Sequence, residues 1–352
     1  AALNLLGAAL ASAGDFAGAR AAYEKAIAID KSFETPQLNL AKLDAAERKL
    51  DQARQRLSAL LASRASGSAA RYELAMLDQR QQRTDDARRR LEELHEKDRS
   101  HLAGHLALID LYLDAGALDK ALALANESSP NRPGYLALQA ALVRVQLARG
   151  DDSAARSTLA SMTRLADFNS LAQYKISRLQ VMAGNVAGAR YSLEKALQGD
   201  SDFKPAKVAL ADLDLAEGAI GKVESRLAEL LKSSPVPAEA YRLAGDLAAT
   251  KAQWQPAIGY YRSALANGMG ADVASRLYRA YTAAGQRKQG LAAVEALVKE
   301  RQDDRALRLL LSDAQAAEGQ LREAKATLEF LLKSGDTAFL LNNLLFAGRR
   351  SR

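Results

Sequence analysis

The chain contains three histidines, His95, His101 and His105, which could ligate a metal. His101 and His105 are four residues apart, so on a helix they would share a face and could bind one ion. No third ligand stands at a suitable spacing, and the neighbouring Glu96 and Asp98 are typical of a solvent-facing surface. The pattern therefore favours incidental surface histidines over a metal site, and it predicts no cofactor.

The sequence contains no pattern of residues that is typical of covalent or acid–base catalysis. The chain has no Cys, which excludes disulfides, thiolate metal sites and thiol catalysis. Carboxylates are plentiful, but none forms a recognisable acid–base pair. Neither a phosphate-binding glycine loop nor a nucleophile elbow is present. The sequence predicts a protein that is not an enzyme and has no catalytic residue.

The basic character of the chain could point to nucleic acid. Its formal net charge is +7 and its pI is about 9.4. The densest basic runs are residues 88–90, 287–288 and 349–352, and elsewhere a Lys or Arg usually has an acidic residue within a turn. This dispersion favours solvated helix faces over a nucleic-acid footprint.

The elements that position these side chains are predicted to be helices. Ala and Leu are abundant, aromatic residues make up 5%, and only seven residues are Pro. Ala and Leu lose little side-chain entropy in a helix, whereas Pro breaks one. No stretch approaches the roughly 20 apolar residues that span a bilayer. The chain opens on helical sequence without a targeting segment, so we expect either a cytosolic protein or a fragment cut from its targeting segment.

A period of 34 residues runs through the sequence, with one step of 33 between Ala257 and Gly290. A glycine recurs in phase at Gly14, Gly116, Gly150, Gly184, Gly218, Gly285 and Gly319. Five residues after this position stands a small anchor residue, at Ala19, Ala53, Ala87, Ala121, Ala155, Ala189, Val223, Ala257, Gly290 and Ala324.

Apolar residues recur in the same phase. The first helix of each repeat carries Leu6, Leu40, Leu74, Leu108, Leu142, Ile176, Leu210, Ala244, Leu277 and Leu311. The next position is often small, as at Gly7, Ala41, Ala75, Ser177, Ala211, Gly245 and Ser312. The second helix carries Tyr23, Leu57, Leu91, Leu159, Leu193, Leu227, Tyr261, Val294 and Leu328.

These spacings predict helical hairpins. Apolar residues at steps of three and four form one stripe per helix, and small residues where the helices cross let the backbones approach. The glycine supplies a left-handed cap, and Asp15, Asp151 and Asn185 are predicted to cap the second helix. One hairpin leaves apolar surface exposed, so it is stable only when stacked on its neighbours. We predict one elongated all-α domain without a linker.

The pattern resembles the tetratricopeptide repeat (TPR), whose leucine–glycine, alanine, aromatic and alanine positions match Leu6-Gly7, Ala19, Tyr23 and Ala26. The eighth repeat matches at Gly245, Ala257, Tyr261 and Ala264. The resemblance implies a right-handed α-solenoid, a superhelix of about ten helix-turn-helix repeats over residues 1–337. The expected repeats are 1–33, 34–67, 68–101, 102–135, 136–169, 170–203, 204–237, 238–270, 271–304 and 305–337.

Two segments depart from the pattern. The fourth repeat has Ala125 and Ser128 at second-helix positions, followed by Pro130 and Pro133, so irregular packing is expected there. Residues 338–352 look like the start of a truncated further repeat, so we expect the native array to continue.

Three stretches are also similar to the PrsT family, TPR lipoproteins of the PEP-CTERM/exosortase system linked to bacterial exopolysaccharide loci. They are residues 213–218, the run from Tyr241 to Tyr261, and residues 277–281, and the Leu341-Asn342-Asn343-Leu344 motif follows in the same order. After Asn343 the chain departs from the family pattern. The resemblance implies a periplasmic or outer-membrane-associated scaffold in exopolysaccharide assembly, with a lipid anchor upstream of this chain.

In the TPR fold the first helices line a concave groove. The resemblance therefore implies that the residues at one repeated position of the first helices are candidate site residues. Two residues after the repeated apolar position stand Lys42, Met76, Asp110, Arg144, Arg178, Asp212, Asp246, Arg279 and Asp313. One turn earlier stand Tyr72, Tyr174 and Arg242. Trp254 occupies the slot of Phe16, which favours packing within the hairpin over ligand stacking.

The charges along this line allow two interpretations. Neighbours could pair between repeats, Asp110 with Arg144, Arg178 with Asp212, and Arg279 with Asp246 and Asp313, although exposed pairs contribute only about 0–1 kcal/mol each. Alternatively, the groove could bind a polar or mixed-charge peptide, because Arg and Tyr often carry interface energy. The two interpretations are compatible.

The leading functional hypothesis is a scaffold that binds a protein or peptide partner in its groove. One alternative is an RNA-binding helical-repeat array, which the pI favours; Asp110, Asp212, Asp246 and Asp313 oppose it because carboxylates repel phosphates. Another is the substrate-recruiting arm of a larger enzyme.

Overall fold

The computed structural model describes residues 1–63, 67–127 and 136–333, and every regular element in these ranges is an α-helix. The first helices of the successive hairpins are α1 Ala2–Ser12, α3 Glu34–Ala46, α5 Ser68–Arg80, α7 Leu102–Asp114, α9 Leu136–Arg149, α11 Ser170–Met182, α13 Lys204–Ala216, α15 Ala238–Thr250, α17 Ala271–Ala283 and α19 Arg305–Ala317. The second helices are α2 Phe16–Ile29, α4 Leu50–Ser63, α6 Thr84–Lys97, α8 Leu118–Asn126, α10 Asp152–Ala166, α12 Val186–Gly199, α14 Ile220–Leu230, α16 Trp254–Ala266, α18 Arg287–Glu300 and α20 Leu321–Lys333.

The helices belong to two compact bodies. The N-terminal body comprises residues 1–167 and 178–189, and the C-terminal body comprises residues 168–177 and those from Arg190 onward. Within each body, helices pack first on their hairpin partner and then on the next hairpin, as α3, α4 and α5 do in the first body and α15, α16 and α17 in the second. The predicted all-α class and α-solenoid architecture are confirmed, whereas the repeat boundaries and the superhelical hand stay predictions.

The core of each body consists of the residues that repeat in the sequence. All ten anchor residues are buried, eight of them with no exposed surface. The repeated first-helix residues are also buried, except Leu142, which is partly buried, and Leu6, which is half exposed. Because each anchor lies where second-helix backbone meets its neighbours, only small side chains and Val occupy it.

The turn within each hairpin uses a left-handed residue at the same place in all ten repeats. Seven of these positions are the predicted glycines, with φ between +65° and +84°. The remaining three are Arg48, Gln82 and Ala252, with φ of 62°, 59° and 56°. The hairpin geometry therefore imposes positive φ even where the sequence does not supply glycine.

Replacement of Ala252 by Gly is expected to stabilise the C-terminal body by about 0.5–1 kcal/mol. A left-handed L-residue costs about 1–2 kcal/mol, and the extra freedom of Gly in the unfolded chain offsets part of the gain. Urea unfolding followed by the fluorescence of Trp254, the single tryptophan, measures the effect. The reverse change, Gly218→Ala, should destabilise by a similar amount, because its Cβ would meet no atom within 4 Å and only its φ of +73° is strained. Effects of the same sign for the two changes would contradict this account.

The predicted caps are partly correct. Asp15 accepts a hydrogen bond from the Gly18 N–H at 2.9 Å, and Asn185 accepts one from the Gly188 N–H at 3.0 Å. The prediction for Asp151 is wrong, because its carboxylate makes no capping bond and instead pairs with Arg149 Nε at 3.0 Å. The nearby guanidinium competes with the helix N–H groups for the same oxygens.

A buried aspartate links successive hairpins in both bodies. Asp214 on α13 has no exposed surface and contacts Arg190 Nη1 of α12 at 2.8 Å and Arg226 Nε of α14 at 2.8 Å. Burial pushes the pKa of Asp214 upward, but the hydrogen bonds from Arg226 and Arg190 outweigh burial and hold the pKa below its ordinary value. One carboxylate thus ties two second helices to the first helix between them.

The same cluster occurs twice in the N-terminal body. Asp44 binds Arg20 and Arg56, each at 2.7 Å, and Asp78 binds Arg54 at 2.6 Å and Arg90 at 2.8 Å. The arginines stand 24 residues before and 12 residues after their aspartate in every case.

Other repeats replace the ion cluster with a neutral pair at the same positions. Gln146 accepts a hydrogen bond from Thr158 at 3.1 Å, and Gln315 accepts one from Thr327 at 3.0 Å, again across 12 residues. Leu122 and Leu291 stand 24 residues before the two glutamines, where the charged repeats have Arg. In these two repeats Gln stands with Thr and Leu, whereas in the three charged repeats Asp stands with two arginines.

Several predictions concern other parts of the chain. Ser128, Pro130, Pro133 and residues 338–352 lie outside the described residues, so the expected irregular fourth repeat and truncated further repeat stay predictions. Among the described helices, none combines the length and the apolar character needed to cross a membrane.

Candidate peptide-binding cleft

The C-terminal body contains a cleft of about 580 Å³ between the first helices α13, α15 and α17, with α16 contributing to one side. This volume lies within the range of about 300–1,000 Å³ that is typical of ligand sites. Its lining includes four predicted site residues. The lining residues are Asp212, Leu215, Ala216, Arg242, Asp246, Ala249, Thr250, Trp254, Tyr261, Arg276, Arg279, Ala280 and Ala283.

Asp246 is the centre of the charged side of this cleft. Its Oδ2 accepts a hydrogen bond from Arg242 Nη1, and its Oδ1 accepts bonds from Arg276 Nη1 and the Tyr261 hydroxyl, at 2.7, 2.7 and 2.8 Å. Burial and the neighbouring Asp246 raise the pKa of Tyr261, so its hydroxyl stays protonated and remains a donor. Four groups from three helices are therefore fixed in one network.

Arg242 connects this network to the preceding first helix. Its Nη2 lies 2.7 Å from both carboxylate oxygens of Asp212, and its side chain is only 13% exposed. Burial lowers the pKa of Arg242, but hydrogen bonding and attraction from Asp212 and Asp246 outweigh that effect and raise it above its ordinary value. Arg242 is therefore a fixed, fully charged part of the cleft wall.

A second cleft, of about 570 Å³, lies in the N-terminal body between α3 and α5, with α4 on one side. The predicted site residues Lys42 and Tyr72 line it together with Met76. Lys42 Nζ is 2.7 Å from Glu73 Oε1, which neutralises its charge locally, and burial raises the pKa of Tyr72. Both clefts thus include first-helix positions singled out by the repeat.

The remaining predicted site residues are dispersed. Asp110 and Arg144 form an ion pair, as expected for neighbouring repeats. Tyr174 packs edge-on against Phe203, with ring centres 6.0 Å apart. Arg178 is exposed, and its predicted pairing with Asp212, which would join the two bodies, stays a prediction. Asp313 is on α19, where burial raises its pKa.

The predicted pairing of Asp246 with Arg279 is wrong. Arg276, one turn nearer the start of α17, pairs with Asp246 instead. Arg242 pairs with Asp212 in the same way. In both pairs the arginine follows the aspartate by 30 residues rather than 34, because the next first helix presents its preceding turn to the carboxylate. Within the described residues, Arg279 and Asp313 do not form the ion pair expected between them.

Among the aromatic and basic residues of the cleft, sequence reasoning missed Trp254, Tyr261 and Arg276. The sequence assigned Trp254 and Tyr261 to hairpin packing; Tyr261 does pack there, at 3% exposed, but its hydroxyl reaches the cleft network. The repeated 30-residue spacing between Asp and Arg was a signal that could have identified Arg276.

The histidines are not all incidental surface residues, as the sequence suggested. His105 is 8% exposed, and its Nε2 lies 2.9 Å from His95 Nδ1, while His95 Nε2 lies 3.2 Å from Glu127. His101 instead caps α7 by accepting a hydrogen bond from the Gly104 N–H at 3.0 Å. Across the described ranges, no group of three or more acidic or histidine side chains is placed to hold a metal ion.

The His95–His105 contact predicts acid sensitivity of the N-terminal body. Burial, followed by repulsion from His95, lowers the pKa of His105 below 6.5; His101 adds repulsion, and Glu127 and Asp98 only partly oppose it. Between the lowered folded pKa and 6.5 the unfolded chain binds more protons, so stability falls as the pH drops below about 6.5. Hydrogen exchange of α6 and α7, corrected for intrinsic rates, should show weaker protection at pH 5.5 than at pH 7.

His105→Gln should flatten this pH dependence, because the amide does not titrate. His101→Asn is the matched control, since Asn retains a capping oxygen and leaves the His95–His105 contact in place. An equal pH dependence in wild type and His105→Gln would contradict the assignment.

The basic run at residues 88–90 does not form a free cationic patch. Arg88 and Arg89 pair with Asp85 and Asp86 one turn earlier, at 2.5 and 2.8 Å, and Arg90 binds the buried Asp78. The first two contacts agree with the predicted solvated face, whereas the third is part of the core.

Comparison with known proteins agrees with the repeat geometry. A tetratricopeptide repeat family model matches residues 79–134 and 180–247. These two segments resemble the tetratricopeptide repeat in sequence. A comparison with curated proteins found no match.

The chain shares its fold with a solved structure. It is similar to yeast Tom70, with 15% identity, a TM-score of 0.58, and coverage of 99% of this chain and 88% of Tom70. It also matches a tetratricopeptide repeat protein from Parabacteroides merdae ATCC 43184, with 13% identity, a TM-score of 0.48, and coverage of 79% of this chain and 97% of that one. At 15% identity and a TM-score of 0.58, the similarity to Tom70 shows the fold alone.

Proposed function

We propose that this chain is a non-catalytic scaffold that binds a peptide or protein partner through the cleft of its C-terminal body. The observation that carries the proposal is the convergence of four repeat-derived residues, Asp212, Arg242, Asp246 and Arg279, on one cleft that also contains Trp254. Trp, Tyr and Arg are the residue types that most often dominate protein interfaces. Fixed polar groups beside an apolar wall are typical of a site that recognises an ordered ligand.

The resemblance to the PrsT family supports a place for this scaffold in bacterial exopolysaccharide and PEP-CTERM assembly at the cell envelope. On this proposal the lipid anchor would lie upstream of the present chain, and the partner would be an envelope protein. Exosortase or polysaccharide-synthesis genes beside the gene for this chain would support the pathway, and their absence would oppose it.

The cleft itself can be tested without knowledge of the ligand. Peptides selected from a random displayed library should bind the full chain and lose binding in Ala283→Trp, because Ala283 is exposed in the cleft and the indole would fill it. Ala266→Trp is the matched control, since Ala266 is exposed at the end of α16 and is not among the lining residues. Equal binding by Ala283→Trp and wild type would place the binding surface elsewhere.

RNA binding is the competing function, and the charges oppose it. Asp212 is 41% exposed in the cleft, where it would repel a phosphate backbone. Titration with single-stranded RNA across a salt series should give weak affinity. Nanomolar affinity at physiological salt would overturn the scaffold proposal.

A further inference from the structure

The acidic groups of the C-terminal cleft already have their partners. Asp246 accepts hydrogen bonds from Arg242, Arg276 and Tyr261, and its side chain is 11% exposed. Both oxygens of Asp212 accept from Arg242. An ionised carboxylate only accepts, so these two groups offer little to an incoming cation.

One basic group in the same cleft is left over. Arg279 lines the cleft and is exposed, and among the described residues it makes no ion pair or side-chain hydrogen bond. Arg242 and Arg276 are both used by the network, and Arg276 Nε also lies 3.4 Å from Asp272, which does not line the cleft. Arg279 is therefore the lining guanidinium that has no charged partner among the described residues.

Apolar surface lies around this charge. The partly buried indole of Trp254 and the side chain of Leu215 line the cleft, together with four small residues. The small residues are Ala216, Ala249, Ala280 and Ala283. Because alanines leave room above the backbone, an apolar ligand side chain can enter between them and the indole and be removed from water.

We propose that this cleft binds an acidic peptide segment in which a carboxylate stands beside an apolar side chain; this inference rests on the proposed scaffold function. The carboxylate pairs with Arg279, whose planar guanidinium can donate two parallel hydrogen bonds. The neighbouring apolar side chain packs on Trp254 and the alanines. A polyanion would find only one such guanidinium group among the lining residues, because Asp212 and Asp246 occupy Arg242 and Arg276.

Two matched peptide arrays test this specificity on the full chain. Both contain short acetylated and amidated peptides with the same apolar residues; one includes Glu and Asp, and in the other each acid is replaced by Gln or Asn. The strongest binders should come from the acidic array, and exchange of the critical acid for its amide should weaken binding about tenfold or more, because hydrogen bonds to charged groups are stronger than neutral ones.

Variants of the chain test the two parts of the site separately, the guanidinium of Arg279 and the apolar surface at Trp254. Arg279→Gln should abolish the preference for acid over amide, whereas Arg262→Gln, at an exposed position of α16 that does not line the cleft, should preserve it. Trp254→Ala should weaken binding of peptides with a large apolar residue but leave the preference for acid intact.

Each result of this experiment is decisive. Equal binding to the two arrays, or an acid preference that survives Arg279→Gln, overturns the acidic-peptide inference while the scaffold function stands. Binding to neither array overturns the scaffold function as well. Binding that is confined to the acidic array and lost in both Arg279→Gln and Ala283→Trp supports both.

Discussion

Replacement of Asp214 by Ala is expected to lower the free energy of unfolding by about 3 kcal/mol, because it leaves two arginines without their buried acceptor. Removal of one partner from a buried ion pair costs about 3–5 kcal/mol. Arg190 and Arg226 are 23% and 31% exposed, so water can solvate them in part, which places the expectation at the lower end of that range. Urea unfolding monitored by Trp254 fluorescence and circular dichroism measures the loss. Asp202→Ala, which removes an exposed pair with Lys207, is the control and should cost about 0–1 kcal/mol.

The neutral repeats supply a sharper control for the same site. Asp214→Gln combined with Arg226→Thr and Arg190→Leu reproduces the residue set of Gln146, Thr158 and Leu122. This triple variant should recover much of the stability that Asp214→Ala loses, since replacement of a whole buried ion cluster by a satisfied neutral set is often close to neutral. If the triple variant is as unstable as Asp214→Ala, the cluster has a role that hydrogen-bond satisfaction does not explain.

The cluster also predicts a response to acid. Since the folded-state pKa of Asp214 lies below its ordinary value, its stabilising contribution is present above about pH 4 and is lost as the pH falls through the folded-state pKa. In Asp214→Ala this part of the acid response should be missing, which a pH series of the same unfolding measurement would reveal.

Replacement of Gly245 by Ala is expected to destabilise the C-terminal body by about 1–3 kcal/mol, the usual cost of overpacking a core. The added Cβ would lie 2.5 Å from Cε1 of Tyr261. That ring cannot move freely, because it is 3% exposed and its hydroxyl donates to Asp246 at 2.8 Å. Movement of the ring would also disturb the charged wall of the cleft.

Gly259→Ala is the matched control on the neighbouring helix. A Cβ at Gly259 meets no atom within 4 Å, so the change should stabilise α16 by up to about 1 kcal/mol through helix propensity alone. Opposite signs for the two substitutions in urea unfolding are expected. A destabilisation of equal size at both positions would mean that the contact with Tyr261 does not decide the effect.

Much of the fold follows from the sequence because it depends on local periodicity. The 34-residue period predicts the turn positions, and the structure has a left-handed residue at each of the ten. The residue types where the two helices of a hairpin cross also follow from the sequence. Gly7 faces Tyr23 and Gly245 faces Tyr261, and in each case a Cβ added to the glycine would lie 2.5 Å from the ring. A large residue on one helix thus requires a glycine, which has no side chain, at the facing position of the other helix. Both residues of such a pair appear in the sequence at a fixed spacing.

Side-chain pairing is where the sequence-based reasoning failed, because pairing depends on which turn of one helix faces the next. The repeat spacing between equivalent positions, 33 residues at this step, suggested Asp246 with Arg279, but the arginine one turn earlier, Arg276, is the one that reaches Asp246. The long, flexible arginine side chain bridges several positions, so sequence spacing alone does not select its partner. The same uncertainty hid the contact between His95 and His105, which lie on different hairpins.

The sequence by itself determined that this protein consists of stacked helical hairpins, which helix faces form the core, and which positions face the groove, because these properties repeat every 34 residues and reflect helix geometry. Only the tertiary structure decided which charges neutralise one another and which remains. Asp246 has three donors and Arg279 has no charged partner among the described residues, although the two stand at equivalent positions of successive repeats. That difference arises from distances of a few ångströms between side chains on separate helices, and it leaves Arg279 as the guanidinium of the cleft without a charged partner.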